Sequence, residues 1–217
     1  MGSVRAHSRI ITEAARTVLV PLGVVQKGRS RIWLDDHCWW LTVVEFQPSS
    51  RSKGSYLNVG ACWLWAEKDY FSFDVASRER GFVEYSDDAQ FSQAMFSIAE
   101  LAKDRILALR KRFATVEKVA ANLDATKAPL NESPWQTFHA AIALGCAGRE
   151  KRSRLRFDEI AAWTPDHDWG RVLKGDAAQM ASLLQDPLSF KAAVKCRIER
   201  CRALLKMPAA KRLDVFH

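Results

Sequence analysis

Between Tyr56 and Trp65 the chain alternates without a break. Leu57, Val59, Ala61, Trp63 and Trp65 fall on one side, and Tyr56, Asn58, Gly60, Cys62 and Leu64 fall on the other. A period of two places successive side chains on opposite faces of a strand and leaves no stripe for a helix. Around it, from Val24 to Tyr85, stretches of the same character recur. Ile32–Leu34 and Trp39–Phe46 are rich in β-branched and aromatic residues, with Asp35-Asp36-His37 as a turn between them. The polar loop Pro48–Gly54 precedes the alternating run. Phe71, Phe73 and Val75 alternate with Ser72 and Asp74, and Gly81–Tyr85 supplies a further short segment. The connections are too short for parallel crossovers, which need a dozen or more residues, so the strands must form an antiparallel meander.

Helical periodicity flanks this region on both sides. Ile10, Ile11, Ala14, Ala15, Val18 and Leu22 recur at helical spacing, and Pro21 with Gly23 closes the segment. After the sheet, Asp87 or Asp88 caps a long helix whose stripe is Phe91, Met95, Ile98, Ala102, Ile106, Leu109 and Phe113. Val116, Val119, Ala120 and Leu123 continue the helical pattern, and 124–132 reads as a linker. Beyond it Ser133-Pro134 and Asp186-Pro187 are cap-plus-proline starts, Gly148 is a terminator, and Thr164-Pro165-Asp166 is a break. The expected fold is α+β: an antiparallel sheet of four to six strands flanked by helices, with an all-helical C-terminal extension. The expected division is 1–125 and 126–217.

The longest apolar runs, Val18–Val25 and Ala140–Ala147, fall well short of the roughly 18 to 20 residues of a membrane span. Together with five cysteines in no metal-binding or redox spacing, this leads us to expect a cytoplasmic protein with reduced thiols. The net charge is +8, and most of the surplus lies beyond Pro129. Such an imbalance speaks to partners and not to fold.

Three groups of residues are candidates for function. Trp33, Trp39, Trp40, Trp63 and Trp65 crowd the sheet, and adjacent Trp39 and Trp40 must face opposite ways. One reading is an exposed aromatic face beside Arg29, Arg31, Arg51 and Lys53, suited to a protein partner, where Trp and Arg dominate binding energy, or to stacked nucleobases. The other is a sheet covered on both sides with every ring in the core. The second group is basic: five cations between Arg149 and Arg156, with Lys191, Lys195, Arg202 and Lys206 near one face of the last helix. Convergence of these two segments would suit phosphates, whereas a plain reading makes them solvated helix faces. The third comprises Asp35-Asp36-His37-Cys38, Asp166-His167-Asp168, His139 and Glu45. Consecutive residues rarely converge on one metal, and turns and caps account for the aspartates. No nucleophile–base pair, phosphate-binding loop or dinucleotide fingerprint occurs, so neither an enzyme nor a cofactor is expected.

Leu22-Gly23-Val24-Val25-Gln26-Lys27-Gly28, Val44-Glu45-Phe46-Gln47-Pro48-Ser49 and Leu57-Asn58-Val59-Gly60 resemble a pattern of uncharacterised bacterial domains. In these a helix ends in a leucine-glycine turn, and a Phe-Gln strand precedes an Asn-x-Gly strand. The resemblance covers about the first 125 residues and implies a small α+β domain without known activity. By analogy it also implies a bacterial setting near immunity- or defence-associated binding proteins. The expected function is therefore non-enzymatic recognition of a protein partner through the sheet and its Ser/Arg loop, carried by Trp39, Trp40, Trp65 and Arg51. The alternative is nucleic-acid binding by Arg152, Arg154, Lys195 and Arg202.

Overall fold

The computed structural model describes residues 2–126 and 133–213. Helix α1 (Gly2–Leu19) passes into a 3-10 turn at Val20–Leu22 and leads to five strands. These are β1 (Val25–Gln26), β2 (Ile32–Asp36), β3 (Trp40–Gln47), β4 (Gly54–Trp63) and β5 (Val75–Glu84). Helices α2 (Asp88–Arg112), α3 (Val116–Ala125), α4 (Pro134–Cys146), α5 (Glu150–Ala162), α6 (Asp168–Ser182) and α7 (Pro187–Leu204) follow. The fold is α+β, and the sheet order β1-β2-β3-β4-β5 is a simple meander, as the short connections require. One strand differs from expectation. Phe71–Asp74 lies outside the sheet, and the last strand begins at Val75 and runs through Gly81 to Glu84 as one piece.

The helix boundaries obey local chemistry. The Asp87 carboxylate accepts from the Gln90 amide at 2.9 Å at the start of α2. That of Asp186 accepts from Leu188 and Ser189, with Pro187 in the first turn of α7. Both satisfy amides that a helix start leaves without partners. Between α2 and α3 the chain breaks at Ala114-Thr115, where the Thr115 side chain accepts from the Lys118 amide.

Contacts divide the chain into two units. The first comprises 1–62 and 71–111; the second comprises 63–70 and 112–217. The core of the first unit lies under one sheet face. Trp33, Val44, Phe46, Leu57 and Val59 pack with Ile11, Ala15 and Leu19 of α1 and Phe91, Met95, Ile98 and Ile106 of α2. In the second unit α4 is buried nearly all round, as expected of a helix with apolar residues on every side. The end of β4 and the turn after it belong with these helices. Trp63 and Trp65 stack with centroids 5.1 Å apart, Phe113 meets Trp63 edge-on at 5.0 Å, and the Trp65 indole N–H donates to His139 Nδ1 at 3.1 Å. Arg197 of α7, itself 4% exposed, donates from Nε to the Trp65 carbonyl at 2.9 Å and from Nη2 to Asp176 at 2.5 Å. A charge buried this deeply must be paired.

Candidate functional site

The expected aromatic anchors are core. Trp39, Trp40 and Trp65 are 3%, 2% and 0% exposed, so in this fold their rings offer a partner no face. Alternation assigned Trp39 and Trp40 to opposite sides of a strand, but Trp39 falls in the turn before β3, which begins at Trp40, and the two buried rings meet edge-on with centroids 6.2 Å apart. Trp40 stacks on His37, with centroids 4.0 Å apart and planes at 19°. Arg51, by contrast, is exposed in the loop after β3, where its amide bonds the Ser49 hydroxyl at 3.1 Å.

The basic alternative also changes. Arg202 is buried and donates from Nε to the Pro208 carbonyl at 2.9 Å. Arg152 forks onto one oxygen of Asp124, which also receives Arg156. Burial pushes the Asp124 carboxyl up, but the bonds from both arginines outweigh it and its pKa falls. Arg154 lies 3.7 Å from Glu150, and Lys195 is half-buried. Of the four expected phosphate contacts, one is enclosed and two are paired with carboxylates.

Asp35 and Asp36, expected in a turn, end β2 opposite Thr42 and Leu41 of β3, and the turn itself is His37-Cys38-Trp39. Cys38 sits at φ 70°, and its amide bonds Asp36 Oδ1 at 2.9 Å, the local bond that makes aspartate a turn residue. Asp35 serves a different purpose. Its buried carboxylate accepts from Arg110 Nε and Nη2, both at 2.9 Å, and lies 2.8 Å from His37 Nε2. Arg110 also donates to the Leu22 carbonyl at 2.8 Å. Burial raises the Asp35 pKa, the bonds from His37 and Arg110 lower it, and the net shift is downward. Both carboxylate oxygens are thus committed to tying the end of α2 to β2. Among the described residues no group of three His, Cys, Asp or Glu side chains is placed to hold a metal.

What remains partly accessible is one end of the sheet face turned away from α1 and α2, where Glu45, Gln47, Tyr56 and Asn58 lie, together with the loop beside it. Leu41, Val43 and Cys62 on the same face are fully buried. Glu45 and Gln47, two residues apart on β3, share that face. The Asn58 amide of β4 donates to both, at 3.0 Å to Glu45 Oε2 and 2.9 Å to Gln47 Oε1. All three side chains are half-buried. Two positions from Asn58 on the same strand, Tyr56 meets Phe82 of β5, with centroids 5.0 Å apart and planes at 50°. Arg51 and Lys53 are exposed in the loop joining β3 to β4. Gly60 belongs to the structure of this face. A Cβ there would lie 2.5 Å from the Ala76 Cβ and 2.8 Å from the Val75 carbonyl, so glycine permits the close approach of β5. The sequence singled out Glu45, Gln47 and Asn58 separately. Their joining across strands, and the Tyr56–Phe82 pair, had no local signal beyond strand parity.

Comparison with family models, with curated proteins and with solved structures finds no match to the chain.

Proposed function

We propose that the chain is a non-catalytic binding protein that recognises a protein partner through the outer sheet face and the Ser/Arg loop. It acts by occluding or scaffolding that partner. The observation that supports this reading is the Glu45–Asn58–Gln47 ladder with Tyr56 and Phe82 at its side. Half-exposed carboxamides held by one another present fixed polar groups at little further entropic cost, and a tyrosine beside an arginine-bearing loop is the composition of binding hot spots. Tyr56 replaces the buried tryptophans as the aromatic anchor, with Arg51 at the rim. The bacterial, cytoplasmic and defence-associated setting rests on the resemblance of the first 125 residues alone.

The test is site-specific photo-crosslinking. Benzoylphenylalanine at Arg51 or Tyr56 should capture a protein that the same probe at Arg9 on α1 does not. The purified captured protein should bind the wild type and lose about tenfold in affinity against Tyr56→Ala, as for a modest hot spot. Identical capture from all three positions, or unchanged affinity in Tyr56→Ala, would remove the sheet face from consideration. Salt-dependent binding of oligonucleotides in place of a protein would restore the alternative reading.

A further inference from the structure

The corner between α5 and α6 carries a second surface of different chemistry. Thr164-Pro165 ends α5, with Trp163 extended at the C-cap. Gly170 in the first turn of α6 lets that ring lie close. A Cβ there would fall 2.4 Å from the Pro165 Cβ and 2.9 Å from Trp163 Cη2. The Lys174 ammonium donates to the Trp163 carbonyl at 2.7 Å and closes the corner. Trp169 then lies 5.8 Å from Trp163, and His167 lies 6.2 Å from Trp169 on tilted planes. The Trp169 ring is 45% exposed. Trp163 is half-buried and Trp65 fully buried, so Trp169 is the open ring of the Trp163–Trp169 pair.

The corner is locally acidic. Residues 158–176 carry five carboxylates against Arg171 and Lys174, within a chain of net charge +8. Asp168 is matched by Arg171, Glu159 by Arg156 and Asp176 by Arg197. Asp166, exposed and three residues from Trp169, takes no ion-pair or hydrogen-bond partner among the described residues. Acidic residues at a helix start are favoured by its dipole, which explains Asp168. It does not explain an exposed tryptophan three residues from a carboxylate without an ion pair among the described residues.

We propose that this corner docks an arginine-bearing segment of a partner protein, with the guanidinium over Trp169 and Asp166 as its counter-charge. Guanidinium is the weakly hydrated cation that stacks on aromatic faces, and tryptophan is the strongest such face. Repulsion from the rest of a basic chain disfavours other cationic contacts and so focuses the segment on this acidic spot. The inference goes beyond the sheet-face reading and does not depend on it.

The test is 19F NMR of protein labelled with 5-fluorotryptophan, with the Trp169 resonance assigned by Trp169→Phe. Acetylated hexaarginine amide should move that resonance saturably, and hexaglutamate should leave it in place. Asp166→Asn, at an exposed position that leaves the fold intact by circular dichroism, should weaken the titration about fivefold, and added salt should weaken it further. A Trp169 resonance that stays fixed with hexaarginine, moves equally with hexaglutamate, or titrates unchanged in Asp166→Asn would overturn the proposal.

Discussion

Replacing Arg110 with methionine isolates the tie between α2 and β2. Methionine keeps an unbranched apolar stem of similar reach but removes both bonds to Asp35 and the one to the Leu22 carbonyl. The carboxylate left behind belongs to a side chain 7% exposed, whereas the lost arginine is 31% exposed. Removing one partner of a fully buried pair costs about 3–5 kcal/mol. Water reaches the position that Arg110 vacates, so the cost falls below that range, at about 2–3 kcal/mol near neutral pH. The pH dependence has a definite sign. In the wild type the folded-state pKa of Asp35 is depressed. Its contribution is therefore complete above the ordinary carboxylate range and is lost as pH falls through the folded value. In the variant, burial is opposed by His37 alone and the carboxyl moves upward from its wild-type value. The variant's deficit should thus be largest near neutrality and shrink on acidification, because a protonated Asp35 needs no counter-ion. Urea unfolding followed by tryptophan fluorescence at about pH 7, 5.5 and 4 measures this directly. Combining Asp35→Asn with the substitution should recover part of the loss. A cost below about 0.5 kcal/mol at neutral pH, or one that does not change with pH, would refute the argument that a buried ion pair joins these elements.

Four other substitutions test the packing. Trp40→Ala and Trp65→Ala should each cost about 3–5 kcal/mol, as truncation of buried tryptophan does; urea midpoints near the wild type would return those rings to the surface. Gly60→Ala should destabilise by about 1–3 kcal/mol, because β5 must shift to admit the methyl group, and an unchanged melting temperature would contradict the close approach of Ala76. Arg202→Met should lower stability in chemical denaturation yet leave any salt dependence of oligonucleotide binding unaltered, since its Nε is bonded to the Pro208 carbonyl within the fold; a flatter salt slope with normal stability would mean that it reaches phosphate.

Much of the architecture follows from local rules and was legible residue by residue. The Ser133-Pro134 and Asp186-Pro187 starts, the presence of a tight turn between β2 and β3 and the meander all depend on chemistry within a few residues of one another. Phe71–Asp74 shows the limit of such rules. Its alternation suits a strand, but pairing with β4 begins only at Val75, opposite Ala61, because a strand exists by its partner and not by its pattern.

The candidate surfaces divide along the same line. Parity alone placed Glu45 with Gln47, and Tyr56 with Asn58, on shared faces. Parity says nothing of what covers a face, and so the tryptophans that looked like anchors proved to be core. Pairing of charge over long distances in sequence was equally hidden. Asp35 and Arg110 are 75 residues apart, and Asp124 and Arg152 are 28 apart. Whether a cation is available to a ligand depends on which carboxylate the fold brings to it. By itself the sequence determined the elements, their order and the antiparallel sense of the sheet, since backbone geometry, caps and loop length act locally. Only the tertiary structure decided that Trp63–Tyr70 packs with the helices, that Arg202 is enclosed, and that Trp169 remains in solvent, because burial belongs to the neighbours a residue acquires.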